Sequence, residues 1–161
     1  MIAIRAAVPR ALALAALAVC LAPRPAHAGP PWISIEVPAN PLDPTSRGAL
    51  LLVHAFHHGT PMAFPVSGTA EGVVDGRRRT VKLEFTRTSR TGVYALRYDP
   101  PREGSWVLVI RVTQGTATAT ALVRIVDGAV ASVKVPTVDR GGPAQVSERD
   151  VESVLRQFAT N

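Results

Sequence analysis

Within nine residues the chain places His54, His57, His58 and Met62, in the run His54-Ala-Phe-His57-His58-Gly-Thr-Pro-Met62. Imidazole and thioether together suit copper, and the thioether favours Cu(I). Spacing sets the condition. On a regular strand His54 and His58 would sit about 13 Å apart at ~3.3 Å per residue, and His57 and His58 would face opposite ways. Metal–nitrogen bonds of about 2 Å therefore require the chain to turn after Phe56 and to bring Met62 back toward His54 or His57. Gly59 and Pro61 permit such a turn. Without it the same residues are surface histidines around a packed methionine. Imidazole ligates as the neutral ring, so copper affinity should fall below about pH 6.

Other chemistry finds little support. Ser67 and Ser105 stand beside glycines, but there is no Gly-x-Ser-x-Gly elbow, no Glu-x-x-His arrangement and no phosphate-cradling glycine loop. The chain is expected not to be an enzyme. Arg77-Arg78-Arg79 could meet phosphate groups, anionic lipid or acidic polysaccharide. The alternative is a set of solvated charges that keep a strand edge from pairing, and alternation turns Arg78 away from its neighbours. Trp32, Phe64 and Tyr98 either mark a binding surface or pack at the rim of the core.

The elements that must position these groups begin after a leader. Arg5 and Arg10 precede the apolar run 11–22, and Ala26-His27-Ala28 follows. That order of charged, apolar and small-residue segments is a secretory signal peptide, with cleavage expected after Ala28. The run is shorter than the ~20 residues that span a bilayer, so no transmembrane span is expected. Val19 departs from the small residue that bacterial lipoboxes place before their cysteine, so Cys20 is expected to leave with the leader. The exported chain would then have no thiol for disulfides, metals or nucleophilic attack. Its location would be the periplasm or the cell exterior. Removing Arg5, Arg10 and Arg24 from 18 basic residues leaves 15 against 12 acidic ones, a net charge of +3. This mild balance, in that compartment, argues against nucleic acid as a partner.

From Trp32 onward the pattern is that of strands. Ile33, Ile35 and Val37 alternate with polar residues. The apolar run 47–56 suits a central strand covered on both faces. Gly68 and Gly72 suggest a bulged or edge strand over 66–74. Asp75-Gly76 has the composition of a tight hairpin turn, and Val81, Leu83 and Phe85 alternate in the strand that returns from it. Tyr94, Leu96 and Tyr98, then Trp106, Leu108, Ile110 and Val112, aim three aromatics at one core from two strands joined through Pro100, Pro101 and Gly104. A strand over 116–126, the Asp127-Gly128 turn and a strand over 129–135 complete a set of about eight. Short strands at this spacing predict an all-β antiparallel sandwich over residues 29–136.

Residues 137–161 form a linker and a short amphipathic helix. Ser147 and Asp150 have capping-box spacing. Val151, Val154, Leu155 and Phe158 make one helical stripe, which needs a surface to pack on. That surface is either the chain's own sandwich or a partner.

The motif Gly92-x-Tyr94 … Pro101-x-x-Gly104-x-Trp106 resembles bacterial exported immunoglobulin-like modules, YtkA-like and related periplasmic domains, over about residues 32–135. The resemblance implies the sandwich fold, which hosts adhesion, scaffold, chaperone-like and copper-handling proteins, and it does not choose among them. The expected function is a non-catalytic, exported module that binds or braces an envelope protein or surface component. The alternative is a periplasmic copper protein using His54, His57 or His58, and Met62.

Overall fold

The computed structural model describes residues 29–138 and 142–159, so the leader expected over 1–28 and residues 139–141 of the linker lie outside the described residues. Strands β1 (Trp32–Glu36), β2 (Leu51–His57), β3 (Thr60–Pro61), β6 (Phe85–Arg87) and β7 (Val93–Leu96) form one antiparallel sheet, ordered β1-β2-β7-β6 with β3 beside β2. Strands β4 (Val66–Val74), β5 (Arg77–Lys82), β8 (Ser105–Gln114), β9 (Ala117–Val126) and β10 (Ala129–Lys134) form the second, ordered β10-β9-β8-β4-β5. Helix α1 (Glu148–Ala159) follows. The chain is thus an antiparallel β-sandwich with a C-terminal helix.

One core joins the two sheets. Ile33, Val53, Tyr94 and Leu96 from the first meet Trp106, Leu108, Ile110, Ala121 and Val123 from the second. The loop after Leu96 therefore carries the chain from one sheet to the other, and the aromatics on its two sides converge on a shared interior, with Tyr98 packed at its margin. Tyr94 Oη donates to the Phe64 carbonyl at 2.5 Å, and Trp106 Nε1 donates to the Glu103 carbonyl at 2.8 Å, so neither polar tip is buried unpaired.

Strand β2 is central and covered on both faces. Leu51, Val53 and Ala55 point into the sandwich, while Leu52 points outward beneath Ala39 and Ala49 of the loop that precedes it. That loop is held by Asp43, which accepts from Thr45 N at 2.8 Å, and by Arg97, whose Nη2 donates to the Thr45 carbonyl at 2.8 Å.

Two strand assignments change. Strand β4 is interior, paired with β5 on one side and β8 on the other. Its glycines serve close approach: a Cβ on Gly68 would lie 2.7 Å from the Val109 carbonyl oxygen, and one on Gly72 would enter the Trp106 ring. The alternating stretch 80–86 is two strands, β5 in one sheet and β6 in the other. Leu83 is buried at the crossing and its N–H donates to the Gly68 carbonyl at 3.0 Å, which anchors the switch.

Helix α1 docks on the outer face of the second sheet, where Val151 and Leu155 cover Val107, Val109 and Leu122. Ser147 and Asp150 form the expected reciprocal cap: Ser147 N donates to Asp150 Oδ2 at 2.8 Å, and Asp150 N donates to Ser147 Oγ at 3.3 Å. Arg78 ties the helix to the sheet edge, reaching Glu152 at 3.2 Å and Glu71 at 3.4 Å. The side chain of Phe158 lies outside the described residues.

Candidate functional site

The histidine segment begins inside β2 and leaves it by a two-residue turn. His58 and Gly59 both have positive φ, 48° and 79°, the combination that a type I′ hairpin turn uses. The same backbone recurs at Asp75-Gly76, with 50° and 70°, and at Asp127-Gly128, with 50° and 79°. Strand β3 then pairs back on β2, Phe56 with Pro61 and His57 with Thr60. Met62 N donates to the Ala55 carbonyl at 2.9 Å. The turn that metal binding would need is present, one residue later than Phe56.

The four residues nevertheless fall into separate groups. Alternation along β2 puts His54 on the outer face and His57 on the inner one. His54 Nε2 lies 2.8 Å from Glu36 Oε2, and its ring stacks on Phe56 with centroids 5.9 Å apart and planes at 14°. Glu36 is shared with Arg90 at 3.4 Å, and Arg90 reaches Asp43 at 3.8 Å. His54 is thus hydrogen-bonded to the Glu36 end of a surface chain of Glu36, Arg90 and Asp43.

His57 and His58 come together instead of facing apart, with ring centroids 4.2 Å apart. The left-handed conformation of His58 swings its side chain out of strand alternation. His57 Nε2 lies 3.1 Å from the Gly29 carbonyl oxygen, and the His58 ring flanks the Gly29 Cα. Met62 is 37% exposed at the rim. Among the described residues no set of three or more His, Cys, Asp or Glu side chains converges to hold a metal.

The outer face of β1, β2 and β3 carries a feature that the sequence hid. Trp32 is the register partner of Phe56, and Phe56 of Pro61, so these apolar groups form one row across three strands. Trp32 is 39% exposed and Pro61 is exposed. Ser34 and His54 make the next row. The loop residues Ala39 and Ala49 pack on Leu52, Val93 and Ala95, a cluster that does not include Trp32 or Phe56. Of the aromatics considered from sequence, Trp32 lies on this surface, while Phe64 and Tyr98 pack against the core. The signal was Trp32 beside an alternating strand, but its row partners are set by strand pairing alone.

Arg77, Arg78 and Arg79 lie on β5, the exposed edge strand of the second sheet. Arg78 is engaged with Glu71 and Glu152, and alternation turns its two neighbours to the opposite face. No helix among the described residues is long and apolar enough to cross a membrane, and a chain with a single cysteine forms no internal disulfide. No family model matches the chain, and no curated protein or solved structure is significantly similar to it.

Proposed function

We propose that the chain is an exported, non-catalytic, immunoglobulin-like binding module of the cell envelope, and that it binds through the outer face of β1, β2 and β3. The observation that carries this is the row Trp32–Phe56–Pro61, with Trp32 and Pro61 exposed, on a sheet whose Leu52, Val93 and Ala95 are covered by Ala39 and Ala49. Exposed aromatic surface bordered by hydrogen-bonding groups, here Ser34, His54 and Glu36, is the composition of recognition sites. The leader pattern before Gly29 and the resemblance to YtkA-like modules support the compartment. Sedimentation with an insoluble envelope fraction tests the proposal. Wild-type protein should be retained and a Trp32→Ala variant released. Equal behaviour of the two, or no retention of either, would overturn it.

A second reading is favoured by one observation, the approach of His57 and His58 to 4.2 Å beside the Gly29 carbonyl. Two adjacent imidazoles, with Met62 following β3, are donor types that suit copper. In this form of the reading His54 takes no part, because Glu36 holds it on the other face. Titration with Cu(I) and Cu(II) against a competing chelator tests it, and absence of tight binding at pH 7 would end it.

A further inference from the structure

The outer face of the second sheet changes character along β8 and β9. Under the helix it is apolar, with Val107, Val109 and Leu122. The next position of that face on β8 is Arg111, whose register partners are Thr120 on β9 and Ser67 on β4. Thr118 and Thr116 extend the face toward the end of the hairpin, and Gln145 and Val146 wall it from the segment before α1. Arg111, Thr116, Thr118, Thr120, Gln145 and Val146 line a cleft of about 300 Å³.

Its chemistry is one-sided. No carboxylate lines it, and among the described residues none pairs with Arg111. Arg78 is engaged with Glu71, Arg90 with Glu36, and Arg97 with backbone carbonyls, while Arg77, Arg79 and Arg87 are exposed to water. Arg111 is half-buried, and among the described residues no anion stands beside it. A guanidinium offers a planar fork that matches a carboxylate through two parallel hydrogen bonds. Around it stand threonine hydroxyls, which donate and accept, and the Gln145 amide, which does both as well. That set fits a carboxylate attached to a body rich in hydroxyls. The volume is at the lower end of the roughly 300–1,000 Å³ of small-molecule sites, which suits a single ring.

We propose that this cleft binds a sugar acid of hexuronate size, its carboxylate on Arg111 and its hydroxyls on Thr118, Thr120 and Gln145. The site is separate from the aromatic row, on the other sheet, and it stands or falls independently of that proposal.

Calorimetric titration of the purified protein with glucuronate, glucose, acetate and inorganic phosphate tests it. Glucuronate should bind at least about tenfold more tightly than glucose or acetate, since each of these lacks one half of the match. Arg111→Gln should weaken glucuronate by about tenfold or more, as expected for loss of hydrogen bonds to a charged group. Thr118→Val keeps the side-chain shape on a partly exposed strand position. It should weaken glucuronate without moving the unfolding midpoint, so the test survives if the arginine variant fails to fold. Glucuronate binding no better than acetate or glucose would overturn the proposal. So would unchanged affinity in both variants, which would place glucuronate outside this cleft. Phosphate binding as tight as glucuronate would replace the sugar acid with a bare oxyanion and overturn the assignment.

Discussion

The Trp106 indole covers Gly72, its register partner on the neighbouring strand: a Cβ built on Gly72 would lie 2.5 Å from ring atoms Cδ2 and Cε3. The ring needs the missing side chain, and the strand tolerates glycine because the ring fills the space. Gly72→Ala should therefore destabilise the sandwich by about 1–3 kcal/mol, the usual cost of overpacking, despite the better strand propensity of alanine. Trp106→Ala should cost about 3–5 kcal/mol. Urea unfolding measures both. A Gly72→Ala variant as stable as wild type would mean that the indole moves aside freely.

Helix α1 caps an apolar patch of its own sheet. Leu155→Ala should cost about 2–5 kcal/mol, because the buried leucine leaves a cavity over Val107 and Val109. Thermal unfolding followed by circular dichroism reads this. Truncation before Pro143 should expose Val107, Val109 and Leu122 and increase binding of a hydrophobic dye.

Hydrogen bonds from the Ser147 hydroxyl, then from its backbone N–H, hold the Asp150 carboxyl below the usual carboxylate range. A group with a lowered folded-state pKa contributes stability above its unfolded value of ~3.8 and loses it as pH falls through the folded value. Helical signal should therefore decline on acidification below about pH 4, and this acid-dependent step should shrink in Asp150→Asn. Asp43, lowered by the Thr45 hydroxyl and then the Thr45 backbone, should behave in the same direction at the loop that roofs Leu52. Carboxyl titration by NMR measures both.

The division of the histidines predicts a pattern of variants. If copper binds, His57→Ala with His58→Ala should abolish tight binding, while His54→Ala should leave it intact. Loss of copper in His54→Ala alone would contradict the placement of that ring on the opposite face. His54→Ala should instead cost roughly 0.5–1.5 kcal/mol, as expected for loss of one hydrogen bond.

Much of the architecture was legible in the chain. Alternation at Ile33, Ile35, Tyr94, Leu96 and Trp106–Val112 named core faces that the structure confirms, because a period of two leaves no freedom about which side is buried. The Asp-Gly pairs marked two tight turns through their tolerance of positive φ, and Ser147 with Asp150 marked the start of the helix. The third turn, His58-Gly59, has the same backbone but not the residue that advertises it, so Gly59 and Pro61 made a turn possible without fixing where the His58 ring would go. The alternation of Val81, Leu83 and Phe85 concealed a change of sheet, since periodicity records which way a side chain points and not which sheet it points from.

What remained was decided by long-range pairing. Whether Gly68 and Gly72 weakened an edge or admitted neighbours depended on β8 lying beside β4. Whether the helix had its own surface depended on Val107 and Val109, the outward set of a strand whose inward set was easier to read. The row Trp32–Phe56–Pro61 and the cleft at Arg111 both assemble side chains from separate strands. Local sequence sets the face that each side chain takes, but only the register of strands distant in sequence sets what stands next to it.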